Sequence, residues 1–252
     1  MEKSCNSYRK FFEIGAGSDE NNKIQFICFP YAGGGASVFY SWKQQLMDVA
    51  DVLAIQYPGH ESRFSEKPFT NMEELVRLIY KEIGHGISTN CVLFGHSIGA
   101  RIAYEFTKYY EQVSHNKIRH LIVSGSRAPH FQEKNPIHAL PDEAFIKEIK
   151  RFKCTPNEIL ENQELLEIFL PMLRADFELD ETYFYTEKRK IRCPITILGG
   201  KEDPEASEEE LKEWKEYTDF PCVLRMFSGE HFFIKTNEKA VLNTIKNILL
   251  NL

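Results

Sequence analysis

Three residues far apart in the chain, Ser97, Asp203 and His231, are of the types that together carry out acyl transfer. Ser97 stands in Gly95-His96-Ser97-Ile98-Gly99. Before it comes an apolar run of strand length, Cys91 to Phe94; after it, Ile98, Ile102, Ala103 and Phe106 recur at helical spacing. A strand that turns so sharply into a helix crowds its own backbone. Glycines two places to either side of the corner remove the Cβ atoms that would collide. The corner hydroxyl is then lifted clear of the sheet, at a helix start whose dipole favours negative charge. A serine held there is a nucleophile suited to a carbonyl carbon.

Such a serine needs a base, and the base needs an orienting acid. Where a serine occupies a strand–turn–helix corner of this kind, the chain order is serine, acid, histidine. Of the eight histidines, His231 alone lies beyond the last plausible acid-bearing strand, in Ser-Gly-Glu-His231-Phe-Phe. The other seven read as surface or structural residues, and His96 faces the wrong way to act as base. The acid is expected after a strand at 194–200, in Gly199-Gly200-Lys201-Glu202-Asp203-Pro204. Asp203, short and on a loop stopped by Pro204, is the expected acid and Glu202 the alternative. An oxyanion site needs two backbone N–H groups. One is expected from Ile98, directly after the serine. The other is expected from the glycine-rich 29–37 loop, Phe-Pro-Tyr-Ala-Gly-Gly-Gly-Ala-Ser, with Ala32 as donor and Tyr31 as the alternative. No phosphate-loop pattern accompanies these glycines, and Gly15-Ala16-Gly17 fails as a dinucleotide fingerprint because Glu20 stands where a glycine is required.

The elements that must position these residues alternate. Strands are expected at 23–29, 52–57, 91–94, 120–126, 194–200 and 222–227, and helices at 37–49, 71–83, 98–112, 208–218 and 237–251. Capping boxes are expected at Thr70 to Glu73 and Ser207 to Glu210. The alternation implies right-handed crossovers and a mainly parallel, doubly wound α/β sheet, with residues 1–252 forming one domain. Residues 127–190 are too long for a plain connection. They contain a helical stretch at 142–152 and a second that starts at Thr155-Pro156, where Pro171 should kink or split it. The segment reads as a helical lid over the crevice at the strand ends. Its apolar Leu170, Met172, Leu173 and Phe177 are expected either to shield an acyl chain or to form the lid's own core.

Bulk properties narrow the function classes. The chain has 252 residues, a net charge of −6 and no basic stripe, which argues against a nucleic-acid binder. The N-terminal stretch lacks the apolar core of a signal peptide and no segment approaches membrane-spanning length, so a cytoplasmic protein is expected. The six cysteines are scattered and suggest neither a disulfide framework nor a zinc site. Cys28 and Cys91, inside apolar strands, read as small buried hydrophobes.

Six segments, FPYAGGGAS (29–37), YPGHESRF (57–64), FGHSIGA (94–100), LPMLRADFELDETY (170–183), GGKEDP (199–204) and GEHFF (229–233), together resemble a type II thioesterase, a member of the α/β-hydrolase superfamily. The resemblance spans almost the whole chain, in the family's order and spacing. It implies a stand-alone hydrolase that frees carrier proteins of nonribosomal peptide or polyketide synthetases by cleaving stray acyl groups from their phosphopantetheine thiols; a monomer is expected. It maps Ser97 to nucleophile, Asp203 to acid and His231 to base, with no metal or soluble cofactor. His60 stands where the family often has Arg, and Ile98 where it often has Met. A carboxylesterase acting on small oxygen esters, or a noncatalytic binding module on the same fold, are the competing readings. Arg63, Lys67 and Arg127 are expected, as a group, to steer the acidic carrier to the mouth of the site.

Overall fold

The computed structural model describes residues 23–152, 157–185 and 189–252. Cys5, Gly15-Ala16-Gly17, Cys154 and the Thr155-Pro156 pair lie outside the described residues. The strands are β1 (Ile24–Phe29), β2 (Ala50–Ala54), β3 (Cys91–His96), β4 (His120–Ser124), β5 (Ile195–Gly200) and β6 (Cys222–Phe227). They form one sheet in the order β2-β1-β3-β4-β5-β6, with every neighbouring pair parallel. β3, β4 and β5 are buried at every position, which is why they read as predominantly apolar runs. β6 closes one edge and alternates between half-buried and exposed along most of its length.

The helices are α1 (Tyr40–Leu46), α2 (Met72–Ile83), α3 (Ile98–Ser114), α4 (Asp142–Phe152), α5 (Asn157–Leu160), α6 (Gln163–Glu181), α7 (Glu208–Lys212), α8 (Phe233–Thr236) and α9 (Glu238–Leu250). Because side chains alternate along a strand, each central strand feeds two cores. Ile27, Phe29, Cys91 and Leu93 point into one core with Ile79 of α2 and Ile102 and Phe106 of α3. Phe26, Cys28, Val92 and Phe94 point into the other with Trp42 of α1 and Val241 and Ile245 of α9. Helices thus cover both faces, the doubly wound arrangement expected of the α/β-hydrolase class. Burial raises the Cys28 and Cys91 thiols well above their ordinary values, keeping both inert.

Between β4 and β5, helices α4 to α6 gather their own apolar cluster, including Phe145, Ile149, Met172, Leu173 and Phe177, with Leu170 packed against it. That cluster also touches Ala32 and Phe232, at the ends of the loops that follow β1 and β6. Pro171 does not split α6, which runs unbroken from Gln163 to Glu181. Pro171 and Glu167 are both exposed, so the carbonyl that proline leaves without a donor is open to water.

Two local expectations shift by small amounts. The cap of α2 is Asn71 rather than Thr70: its side chain accepts from the Glu74 N–H at 3.0 Å. β2 stops at Ala54, before the turn at Pro58-Gly59, where Gly59 takes a φ of 87°. The Ser207 box stands as expected, with Glu210 N–H donating to Ser207 Oγ at 3.3 Å and Ser207 N–H to Glu210 Oε2 at 3.0 Å.

Candidate active site

The strand order reverses between β1 and β3, and a crevice opens there beyond the carboxyl ends of the strands. Ser97 leaves β3 at that point with φ 56° and ψ −127°, outside the regions favoured by a residue with a side chain. The strain has a visible cause. A Cβ on Gly95 would lie 2.2 Å from the Gly99 carbonyl oxygen, and one on Gly99 would lie 2.2 Å from that of Phe29. Strand, helix and the start of the β1 loop are therefore in backbone contact, with Ser97 at their junction. Its N–H donates to the Ser124 carbonyl at 2.8 Å, tying the corner to β4. Both collisions are with backbone, so Gly99→Ala should cost about 1–3 kcal/mol of stability. The residual folded protein should be poorly active; thermal melts and hydrolysis assays read the two effects, and an unshifted melting temperature would contradict the packing argument.

His231 and Asp203 meet from two neighbouring strand ends. Asp203 Oδ2 lies 2.9 Å from His231 Nδ1, while its Oδ1 accepts the Glu205 N–H at 2.8 Å. The Asp203 side chain is fully buried and that of His231 nearly so. Glu202 turns elsewhere: its carboxylate accepts the Gly229 N–H and its own N–H donates to the Gly229 carbonyl at 3.1 Å. It laces the loop after β5 to the loop that carries His231, so of the two acids Asp203 alone faces the imidazole. Gly200 permits this lacing, since a Cβ there would fall 2.6 Å from the Gly229 oxygen.

Ser97, Ile98, Ala32, Tyr31 and His231 share the wall of one cavity of about 280 Å³. The Ile98 and Ala32 N–H groups donate to no protein acceptor among the described residues. Tyr31 is buried edge-on against Phe232, with ring centres 4.9 Å apart. Sequence reasoning placed His96 in the turn but missed its neighbour: its ring centre lies 5.0 Å from that of His231. His96 Nδ1 is 3.0 Å from Ser124 Oγ. Burial, and then the charges of His231 and Lys235, push its pKa well below the usual histidine value, so it stays neutral beneath His231.

The far wall comes from the segment between β4 and β5. Of the four apolar residues expected either to shield an acyl chain or to form the lid's core, all pack in or against the cluster formed by α4 to α6, and Phe177 also reaches the cavity. Six of the charged residues that line the cavity are paired with one another. Arg101 holds Asp180 at 2.8 Å, Arg127 holds Glu133 at 2.6 Å and Arg151 holds Glu205 at 2.5 Å. This pairing corrects the steering group. Arg127 is neutralised by Glu133. Arg63, 4% exposed, is bound to Glu66 and to the Gln56 carbonyl, where it braces the loop after β2 rather than facing a partner. Lys67 is exposed, but alone it makes no patch. Among the described residues no helix is long and apolar enough to cross a membrane.

Known proteins resemble the chain throughout. The thioesterase domain family matches residues 25–249. The gramicidin S biosynthesis protein GrsT of Aneurinibacillus migulanus is 38% identical over 222 residues, 88% of this chain and 87% of the relative. Among solved structures, the type II thioesterase BorB from the borrelidin biosynthetic cluster superposes with a TM-score of 0.84 at 34% identity, covering 91% of this chain and 94% of that one. The RedJ thioesterase from the prodiginine pathway of Streptomyces coelicolor gives a TM-score of 0.84 at 30% identity, covering 95% and 98%. With the fold, the strained serine corner and these matches together, the chain is a member of the thioesterase family.

Proposed function

We propose that this thioesterase uses Ser97 as nucleophile, His231 as base and Asp203 as the acid that orients it, and that its substrates are acyl groups held as thioesters on carrier-protein domains. One observation carries the catalytic part: a strained serine shares a small cavity with a histidine whose other ring nitrogen is held by a buried aspartate. With Nδ1 donating to Asp203, His231 presents Nε2 to take the Ser97 proton as the hydroxyl attacks the thioester carbon. The negative oxygen that forms is received by the Ile98 and Ala32 N–H groups. Collapse of the intermediate expels the thiol, and His231 then activates water to release the acid from Ser97. The chemistry calls for no metal or soluble cofactor.

The carrier part is supported by the relatives, whose names place them in gramicidin S, borrelidin and prodiginine biosynthesis. The thiol that leaves is then that of the carrier's phosphopantetheine arm, and the enzyme regenerates wrongly acylated carriers as a cytoplasmic monomer. Helices α4 to α6 act as a lid, resting on both the loop after β1 and the loop after β6. A panel of acylated carrier proteins, incubated with the enzyme and read by intact-mass spectrometry, tests the reading against matched oxygen esters. Carrier thioesters should be cleaved at least tenfold faster. Preference for the oxygen esters would make the protein a carboxylesterase instead.

A further inference from the structure

The loop that supplies the Ala32 N–H is anchored from outside itself. Residues Tyr31 to Gly34 form a tight turn closed by a 2.9 Å hydrogen bond from the Gly34 N–H to the Tyr31 carbonyl, with Gly33 at φ 73°. A positive φ at the third position marks a type II turn, whose central amide points outward and finds no acceptor within the turn. Here the Gly33 N–H donates to Asp176 Oδ2, on helix α6, at 2.7 Å. The same carboxylate oxygen lies 2.9 Å from His60 Nε2, and His60 Nδ1 lies 3.1 Å from the Pro58 carbonyl. Asp176 is 6% exposed and His60 3%. With an acceptor at each ring nitrogen, His60 satisfies both only as the imidazolium, donating from Nδ1 and Nε2.

We infer that Asp176 and His60 are positioning residues that hold the oxyanion donor Ala32 in place through the adjacent Gly33 amide, so that helix α6 sets the oxyanion site as well as covering it. The inference rests on the proposed role of the Ala32 N–H. Without the carboxylate, the outward amide of Gly33 loses its acceptor and the Ala32–Gly33 peptide is free to rotate. The donor next to it then no longer converges with the Ile98 N–H, and stabilisation of the developing oxyanion falls.

Protonation of His60 gives the anchor a pH dependence. Burial alone would disfavour the imidazolium, but the charge and hydrogen bond of Asp176, the Pro58 carbonyl and the Glu61 charge outweigh it, and the pKa of His60 is raised. The groups facing it are Asp176 from α6, Glu61 beside it in the chain, and Tyr57, whose ring packs edge-on with centres 5.8 Å apart. A raised folded-state value means that the anchor is complete below the ordinary histidine range and is lost as pH climbs through the raised value. A neutral ring surrenders one of its two hydrogen bonds, to Asp176 or to Pro58.

Three variants test the inference: Asp176→Ala, Asp176→Asn and His60→Gln. Each is measured for kcat and KM on a coenzyme A thioester, for the rate of Ser97 labelling by a fluorophosphonate, and for thermal melting. Asp176→Ala should lower kcat and the labelling rate together by tenfold or more, with KM within threefold of the parent. Asp176→Asn, which keeps an acceptor for the Gly33 N–H, should lose distinctly less. His60→Gln supplies a donor that does not titrate, so the decline in kcat on the alkaline side should disappear or move. The inference is overturned by a rise in KM at unchanged kcat, by an alkaline decline unaltered in His60→Gln, or by losses that track the folded fraction equally in the Ala and Asn variants. Labelling needs no carrier protein. If carrier thioesters resist cleavage while the labelling differences stand, the proposed substrate falls and the anchor remains.

Discussion

Ser97→Ala and His231→Ala, made separately, should each lower hydrolysis of a carrier-bound thioester by a factor on the order of 10³–10⁶, and the double variant should be little worse than either. The nonadditivity is the informative part. If serine oxygen and imidazole act in one proton-coupled step, removing the second after the first deletes nothing that still functions. Single-turnover assays with intact-mass detection measure the rates, and thermal melts check the fold. The Ser97 backbone φ of 56° persists with alanine, which is no more comfortable there than serine, so the melting temperature should stay close to the parent's. Losses that multiply in the double variant would mean that the two residues act in different steps.

Asp203→Asn should cost about 10⁴ in kcat, and Glu202→Gln less than tenfold. The prediction follows from which atoms face the imidazole. Asp203 Oδ2 accepts from His231 Nδ1 at 2.9 Å, so an asparagine that turns its NH2 to that nitrogen selects the wrong tautomer and leaves no lone pair on Nε2 for the serine proton. Glu202 touches the Gly229 amide instead, and a glutamine oxygen can still accept there. Steady-state kinetics on a coenzyme A thioester separate the two; the reverse ranking would hand the role of acid to Glu202.

The sheet was legible because its central strands are buried on both faces and so are written as unbroken apolar runs. Cys91 to Phe94 and Leu121 to Val123 are such runs, too short for a helix. The serine corner was legible because backbone crowding admits only glycine at 95 and 99. What escaped were relations between segments that spacing along the chain does not encode. The motif containing Asp176 was visible, but nothing in its neighbourhood says that the carboxylate spans from α6 to Gly33 and His60. The apolar residues of α6 were ambiguous for a related reason: an amphipathic helix shows which residues are buried, and not against what. Arg63 shows the same limit from the polar side, since a loop arginine reads as surface until the Gln56 carbonyl beneath it is seen. Asn71 displaced Thr70 as a cap because both are competent and the choice turns on a single residue of register.

The edge position of β6 bears on the order in which the enzyme comes to life. The serine corner sits in the middle of the sheet and its neighbours β1 and β4 are made early, whereas His231 hangs from the last strand, which among the described residues pairs with β5 alone. A chain emerging from the ribosome therefore carries the proposed nucleophile for a long interval before the proposed base is made. The proposed triad closes only when the final strand adds to the sheet and the Glu202–Gly229 lacing draws the two loops together. The topology thus keeps the proposed serine without its base until the last strand is in place.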